Sequence, residues 1–350
     1  MLMRELGKTG IEVSALCLGS MTWGTQNTCQ DAAEQIDYAL DHGVNFIDTA
    51  EMYPTTPLHK KTLGDTERCI GEWVASSGKR QDVLIASKVT GNGKDWMYGG
   101  QDITGEKIHV SVERSLERLQ TDVIDLYQLH WPNRGSYHFR QNWTFDPSNQ
   151  DTEKVRNNIH EVLLALDKEV KAGRIRHIGL SNESAWGTAQ YLSIAEANGL
   201  PRVVSIQNEY NLMHRLFDLD LAELSHHESV GLLAFSPLAA GALSGKYSGG
   251  VVPDGSRRQQ NKTLSGRYTR SSELICERYV QLARDHGLDP AQMALSFCLT
   301  RPFMTSAIIG ATTMDQLKTN IQAADLTLDD AVMQDIHALY LEHPIPMNKV

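Results

Sequence analysis

The sequence predicts an α/β barrel of eight parallel strands, the (β/α)8 or TIM-barrel class, on three observations. Eight short apolar, β-branched runs recur: Ala15–Gly19, Val44–Asp48, Val83–Lys88, Val123–His130, Ile175–Leu180, Val203–Gln207, Gly231–Ser236 and Ala307–Gly310. They read as nearly continuous hydrophobic stretches, as strands covered on both faces do. Longer amphipathic helical patterns alternate with them, the order of a parallel barrel. The first run leads into Leu18-Gly19-Ser20-Met21-Thr22-Trp23-Gly24, which is not the G-x-G-x-x-G turn of a doubly wound sheet.

Taken in order, each element has its own signature. Arg4–Val13, with Lys8-Thr9-Gly10 between apolar ends, reads as an N-terminal β-hairpin ahead of the barrel. Asp31–His42 places Ala32, Ile36, Ala39 and Leu40 at helical spacing, with Gly43 as a stop. Thr66–Ser77 carries Ile70, Trp73 and Val74, and Thr104–Leu119 carries Ile108, Val112, Leu116 and Leu119. Lys154–Ala172 repeats Ile159, Val162, Leu163, Leu166 and Val170 before Gly173. Ser184–Ala197, ending at Asn198-Gly199, and Leu219–His227 follow. Glu273–Asp285 and Pro290–Leu299 precede the eighth run, and Thr313–Ala324 and Asp329–Leu341 close the chain as extra C-terminal helices. No composition break marks a linker, so 1–350 is expected to be one domain.

Composition narrows the function. Lys+Arg 33 against Asp+Glu 43 leaves a net charge of −10, which gives no general electrostatic pull toward nucleic acid or anionic lipid. No window approaches the roughly 18 apolar residues of a membrane span, and Met1–Gly7 lacks a signal-peptide core. Cys17, Cys29, Cys69, Cys276 and Cys298 are odd in number and scattered, with no C-x-x-C. That pattern argues against disulfides and for a reducing, cytoplasmic setting. Without H-E-x-x-H or a cysteine pair, and with His226-His227 adjacent in a helix end, no metal is expected. There is no G-x-S-x-G elbow and no P-loop.

In barrels the chemistry sits where strands end. Asp48 ends the second run, Lys88 the third and His130 the fourth, and Tyr53 lies in the loop after Asp48. A buried lysine needs a partner, and Asp48 on the neighbouring strand can supply it. A close ammonium favours phenolate, so Lys88 is expected to lower the Tyr53 pKa and ease proton transfer. His130 can donate a hydrogen bond to the same oxygen. Such a set suits hydride addition to a carbonyl with protonation of the alkoxide. Other strand ends suggest a dinucleotide. Ser181, Asn182 and Gln207 can meet a carboxamide, and Phe235 can stack on a planar ring. Gly241, Gly245 and Lys246 can hold a pyrophosphate, and the helix opening at Gly310-Ala311-Thr312-Thr313 and running to Asn320 can take a phosphate.

Several motifs together resemble the aldo-keto reductases over roughly residues 1–340. They are Gly7–Ser14, Asn45–Tyr53, Ser87-Lys88, Asp125–Trp131, Ile178–Asn182 and Ile206–Asn208. Tyr53 follows Asp48 by 5 residues, Lys88 follows Tyr53 by 35 and His130 follows Lys88 by 42. Ala50–Pro54 and Gly310–Asn320 are most similar to a bacterial, Tas-like branch. The resemblance implies NAD(P)H-dependent reduction of aldehydes or ketones, with NADP(H) the usual cofactor and NAD(H) the alternative. It implies Tyr53 as proton donor, Lys88 and Asp48 as its tuning pair and His130 as the carbonyl-orienting donor. Gly19, Met21, Thr22, Asp48, Ser181, Asn182, Gln207, Phe235, Ser236, Leu238, Gly241, Lys246, Gly310, Thr312, Gln316 and Asn320 are the expected cofactor contacts. Gly310 and Gln316 stand where some members place Lys and Arg around the 2′-phosphate, and Thr319 where Glu is frequent. Arg257, Arg258 and Lys262 are the other cations at hand. Trp23, Trp96, Trp131 and Trp143, with Tyr137, are the expected walls for an apolar or aromatic carbonyl substrate. The competing reading is an NADPH-binding regulatory or sensor protein with little turnover.

Overall fold

A computed structural model describes residues 1–347. A hairpin comes first: β1 (Met3–Glu5) and β2 (Glu12–Ser14) pair antiparallel, with Met3 opposite Ser14. Eight strands then close a parallel barrel: β3 (Leu16–Gly19), β4 (Phe46–Asp48), β5 (Leu84–Val89), β6 (Ile124–Leu129), β7 (Ile175–Ser181), β8 (Val203–Glu209), β9 (Gly231–Phe235) and β10 (Met304–Ile309). Each matches one of the eight apolar runs, and β10 pairs back onto β3. The fold is a (β/α)8 barrel with an added hairpin.

Helices α1 (Cys29–Asp41), α2 (Asp65–Ser77), α3 (Gly105–Leu119), α4 (Thr152–Lys171), α5 (Ala185–Asn198) and α6 (Asp220–Glu228) occupy the successive crossovers. Between β9 and β10 come α7 (Arg257–Gln260), α8 (Arg270–Asp285) and α9 (Pro290–Leu299), and α10 (Met314–Gln322) and α11 (Asp330–Glu342) follow β10. Side chains of Thr28, Thr104, Asp151, Ser184, Thr269, Asp289, Thr313 and Asp329 cap N-termini by accepting backbone N–H bonds. Helix α7 is too short for periodicity to announce it. None of the described helices is long and apolar enough to cross a membrane.

The barrel has two cores. Cys17, Phe46, Ala86, Leu126, Leu233 and Ile308 fill its interior, and Leu6 and Val13 from the hairpin region join that cluster. The hairpin thus closes the end where the strands begin. The larger core lies between strands and helices, where Ile36, Ile70, Ile108, Leu163 and Leu192 meet the outward strand residues.

One expectation is overturned. Cys29, at the start of α1, and Cys69, in α2, form a disulfide, while Cys17, Cys276 and Cys298 are free and buried. The two cysteines are 40 residues apart, so no local spacing shows the pair. Packing of α1 against α2 brings them together. The cysteine pattern therefore no longer argues for a reducing compartment.

Candidate active site

A cleft of about 1540 Å3 opens at the end where the strands finish. Register places Asp48 beside Ala86, and Lys88 beside Gln128. Alternate residues of a strand share a face, so Phe46 and Asp48, Ala86 and Lys88, and Leu126 and Gln128 all turn inward. The first of each pair fills the apolar interior, and the second meets at Asp48. Lys88 Nζ donates to Asp48 Oδ1 at 2.8 Å, to Oδ2 at 2.7 Å and to the Thr49 carbonyl at 2.7 Å. All three ammonium protons are used, as a fully buried cation requires. Gln207 Nε2 donates to Asp48 Oδ1 at 2.7 Å and Gln128 Nε2 to the same oxygen at 3.3 Å.

Tyr53 and His130 line the cleft above this floor. Lys88 Nζ lies 5.0 Å from the centre of the Tyr53 ring, and the Tyr53 and His130 rings meet edge to face at 5.8 Å. Lys88 itself does not reach the cleft wall. Burial acts against the charge on Lys88, but Asp48 and Tyr53 more than offset it, and its pKa is raised. Burial also raises the Tyr53 pKa, with Lys88 opposing. The expected lowering is thus reversed, because the ring loses more hydration than the ammonium restores. Burial, then Lys88, hold the His130 pKa well below the usual histidine range, so the imidazole is neutral. Its Nδ1 is buried without a hydrogen-bond partner.

Most residues expected to touch the cofactor line this same cleft: Gly19, Met21, Thr22, Asp48, Ser181, Asn182, Gln207, Phe235, Ser236, Leu238, Gly241, Lys246, Gly310, Thr312, Gln316 and Asn320. Gly245 does not; it turns the chain at φ +78° against Val280 and Arg284. Their hydrogen bonds refine the picture. Ser181 Oγ donates to the Gln207 carbonyl at 2.8 Å, and the Gln207 amide is committed to Asp48. Asn182 donates Nδ2 to the His130 carbonyl at 2.9 Å, while its Oδ1 is buried and unpartnered. A carboxamide N–H is the type of donor that oxygen lacks. At Gly241, φ is +92°, and a Cβ would lie 3.0 Å from Lys246 Nζ, so the glycine leaves room for that cation. Gln316 Oε1 accepts from Thr312 N at 3.0 Å and from its hydroxyl at 3.2 Å, and Asn320 Nδ2 donates to the Gly310 carbonyl at 3.2 Å. These two side chains brace the loop ahead of α10. Among the described residues no group of three His, Cys, Asp or Glu is placed to hold a metal.

The sequence model of the Aldo/keto reductase family matches residues 15–341. The chain belongs to the aldo/keto reductase family. It is 44% identical over 348 residues to Protein tas of Escherichia coli, covering 97% of each chain. It is 32% identical to the Uncharacterized oxidoreductase YrpG of Bacillus subtilis, covering 96% of this chain and 94% of that one. Norsolorinic acid reductase B of Dothistroma septosporum is 26% identical, over 96% of this chain and 81% of its own. The protein is an oxidoreductase of a family that acts on small carbonyl compounds and generally uses NAD(P)H.

The aromatic wall of this aldo/keto reductase differs from expectation. Trp131 lines the cleft, beside His130 at 5.0 Å between ring centres. Trp23 does not; it is fully buried in the shell core, with Nε1 donating to Gln35 at 3.1 Å. Trp143 is 69% exposed on the outer surface. Trp96 is half-buried, packed on the cluster of Ala50, Met52 and Tyr53, and is not among the residues that line the cleft. Tyr137 packs at a tilt against His138 and stays out of the cleft. Phe139 takes up the wall position instead, edge-on to Trp131 at 6.0 Å.

Arg257 lines the cleft, whereas Arg258 lies over the Tyr268 ring at 4.4 Å and Lys262 is exposed away from it. Sequence reasoning missed Gln128, whose inward register was its signal. It also missed Arg140 and Arg267, which carry none. They line the cleft and enclose Glu209, at the end of β8.

Proposed function

We propose that this aldo/keto reductase reduces aldehydes or ketones to alcohols with NADPH, and that Tyr53 is the proton donor. The observation that carries the reading is the convergence of Tyr53 and His130 on one cleft above a fully satisfied Lys88–Asp48 pair. The bound nicotinamide cofactor supplies hydride to the carbonyl carbon. Neutral His130 donates a hydrogen bond to the carbonyl oxygen and orients it. Tyr53 passes its hydroxyl proton to that oxygen as negative charge develops. Lys88, pinned by Asp48, eases the formation of the phenolate left behind.

The remaining cleft residues bind. Asn182 Oδ1 takes a carboxamide N–H, and Phe235 packs on the ring. Lys246 and Gly241 hold the pyrophosphate, and Thr312, Gln316 and Asn320 hold the adenosine end. The reading is tested by following NADPH and NADH absorbance with purified protein and 4-nitrobenzaldehyde. Oxidation that needs both protein and aldehyde, faster with NADPH, is the expected result. NADPH that binds tightly without being oxidised would overturn it in favour of a regulatory cofactor holder.

A further inference from the structure

The reductase reading gives no task to Glu51, two residues before Tyr53. Glu51 is 1% exposed, yet it makes no ion pair among the described residues. Three uncharged donors hold it instead. Thr90 N donates to Oε1 at 2.6 Å, Tyr98 Oη to Oε2 at 2.9 Å and Ser111 Oγ to Oε2 at 2.5 Å. Such a ring of donors suits a carboxylate, whose two oxygens only accept. Burial raises the Glu51 pKa, and the three hydrogen bonds oppose the rise. An apolar side chain would fill the same space without the cost of burying a charge. The carboxylate adds three attachments.

Each attachment reaches a different part of the fold. The Glu51 backbone N donates to the Lys88 carbonyl at 3.4 Å, while its carboxylate takes Thr90 N. One residue therefore grips the end of β5 on both sides of Val89, directly after the buried lysine. The Thr49 carbonyl accepts from Lys88 Nζ at 2.7 Å, and Tyr53 N donates to the Ala50 carbonyl at 2.9 Å. Residues 49–53 are thus tied to the lysine beside which the Tyr53 ring rests, 5.0 Å from Nζ. Through Oε2 the same carboxylate holds α3 at Ser111 and the loop between β5 and α3 at Tyr98. On that loop Trp96 and Met97 pack on Ala50, Met52 and Tyr53, and residues 92–94 line the cleft. Part of the cleft wall and the segment that carries the proton donor share one anchor.

We propose that Glu51 is a positioning residue: through Thr90 it sets Tyr53 against Lys88, and through Tyr98 it holds residues 92–94 of the cleft wall in place. It touches no reacting atom. The proposal rests on the reductase reading and adds a residue to the same site. Its two roles separate by substitution, because Tyr98→Phe cuts only the second.

The test measures kinetics with 4-nitrobenzaldehyde at saturating NADPH in the wild type, Tyr98→Phe, Glu51→Ala and Glu51→Gln. NADPH affinity is read by fluorescence titration and local opening by amide hydrogen exchange. Tyr98→Phe is expected to raise KM about threefold to tenfold, the worth of one neutral hydrogen bond, and to leave kcat within about twofold. Glu51→Ala should also lower kcat by roughly tenfold to a hundredfold, as misplacement of a reacting group does. Glu51→Gln keeps an acceptor for Thr90 N and should restore most of kcat. NADPH affinity should stay unchanged throughout. If Glu51→Ala does not fold, Glu51→Asp draws the carboxylate back by one methylene and should show the same loss of kcat. A folded variant at position 51 with wild-type kcat would overturn the proposal, and so would a kcat that glutamine does not restore. NADPH affinity falling in step with kcat would mark general loosening of the barrel and overturn it too. If the wild type reduces no aldehyde, the reductase reading fails on its own. Hydrogen exchange still decides the anchor: faster exchange over residues 92–100 in Tyr98→Phe, and over residues 52–53 as well in the position 51 variant, supports it. Exchange like the wild type in both sinks it.

Discussion

Where the barrel strands begin, most polar groups find partners within the protein, Ser205 Oγ near the start of β8 being an exception. Arg4 donates to the carbonyls of Leu299 and Met304, and Ser14 and Asn45 exchange hydrogen bonds. Asp125 accepts from Arg80 at 2.8 Å and from the Ile85 backbone at 2.8 Å, with Arg176 at 2.7 Å. Leu6 and Val13 close the apolar interior beneath them. Where the same strands end, polar groups are left over. His130 Nδ1, Asn182 Oδ1 and Arg140 Nε are buried without partners. Native proteins rarely leave buried polar atoms unpaired, so an end that collects them is fitted to something the chain does not itself contain. The contrast separates residues that hold the barrel closed from residues that wait for a ligand, although both sets are buried.

Substitutions at the two ends should therefore fail differently. The largest effect is expected at the floor of the open end. Lys88→Met would leave Asp48 as an unpaired buried charge and destabilise the fold by about 3–5 kcal/mol, with turnover lost as well. Urea denaturation beside a turnover assay reads both losses, and a variant of wild-type stability would break the link between floor and fold. At the closed end, Leu6→Ala should cost about 2–5 kcal/mol as a cavity opens in the barrel interior. Its KM and kcat below the unfolding temperature should stay near wild type. A selective loss of turnover there would erase the contrast.

A third expectation concerns acid. His138 is depressed to about 4 in the fold, chiefly by burial. The unfolded chain takes up that proton first, at a pKa near 6.5. The stability His138 provides is complete above about 6.5 and is lost as pH falls through about 4, roughly 3 kcal/mol in all. Urea midpoints of wild type and His138→Asn across that window should converge at low pH; parallel curves would contradict the assignment. The smallest effect is a flat one. Because burial raises the Tyr53 pKa, the rate of reduction should not fall before the ordinary phenol value of about 10. A fall near pH 8 would point to another group.

Most of the fold was legible because it is periodic. Eight apolar runs such as Ile175–Leu180 and helices such as Lys154–Ala172 carry their pattern in the chain itself. Asp48, Tyr53, Lys88 and His130 were legible because each sits at or just past the end of such a run. The Cys29–Cys69 bond was not, since it depends on how α1 packs on α2. Nor were the places of Trp23 and Trp143, one buried in the core and one exposed. An aromatic residue in a loop has no period to show which way it faces. The Arg140–Glu209–Arg267 cluster joins two irregular segments to a strand end, so only the folded chain reveals its charge balance.

The central claim is that the open end is organised around one proton donor. Tyr53→Phe tests it most directly, because the ring and its packing stay while the hydroxyl goes. Aldehyde-dependent NADPH oxidation should fall by about 10²–10⁴-fold, with the melting temperature and NADPH affinity unchanged. Turnover near the wild-type rate in that variant would contradict the account.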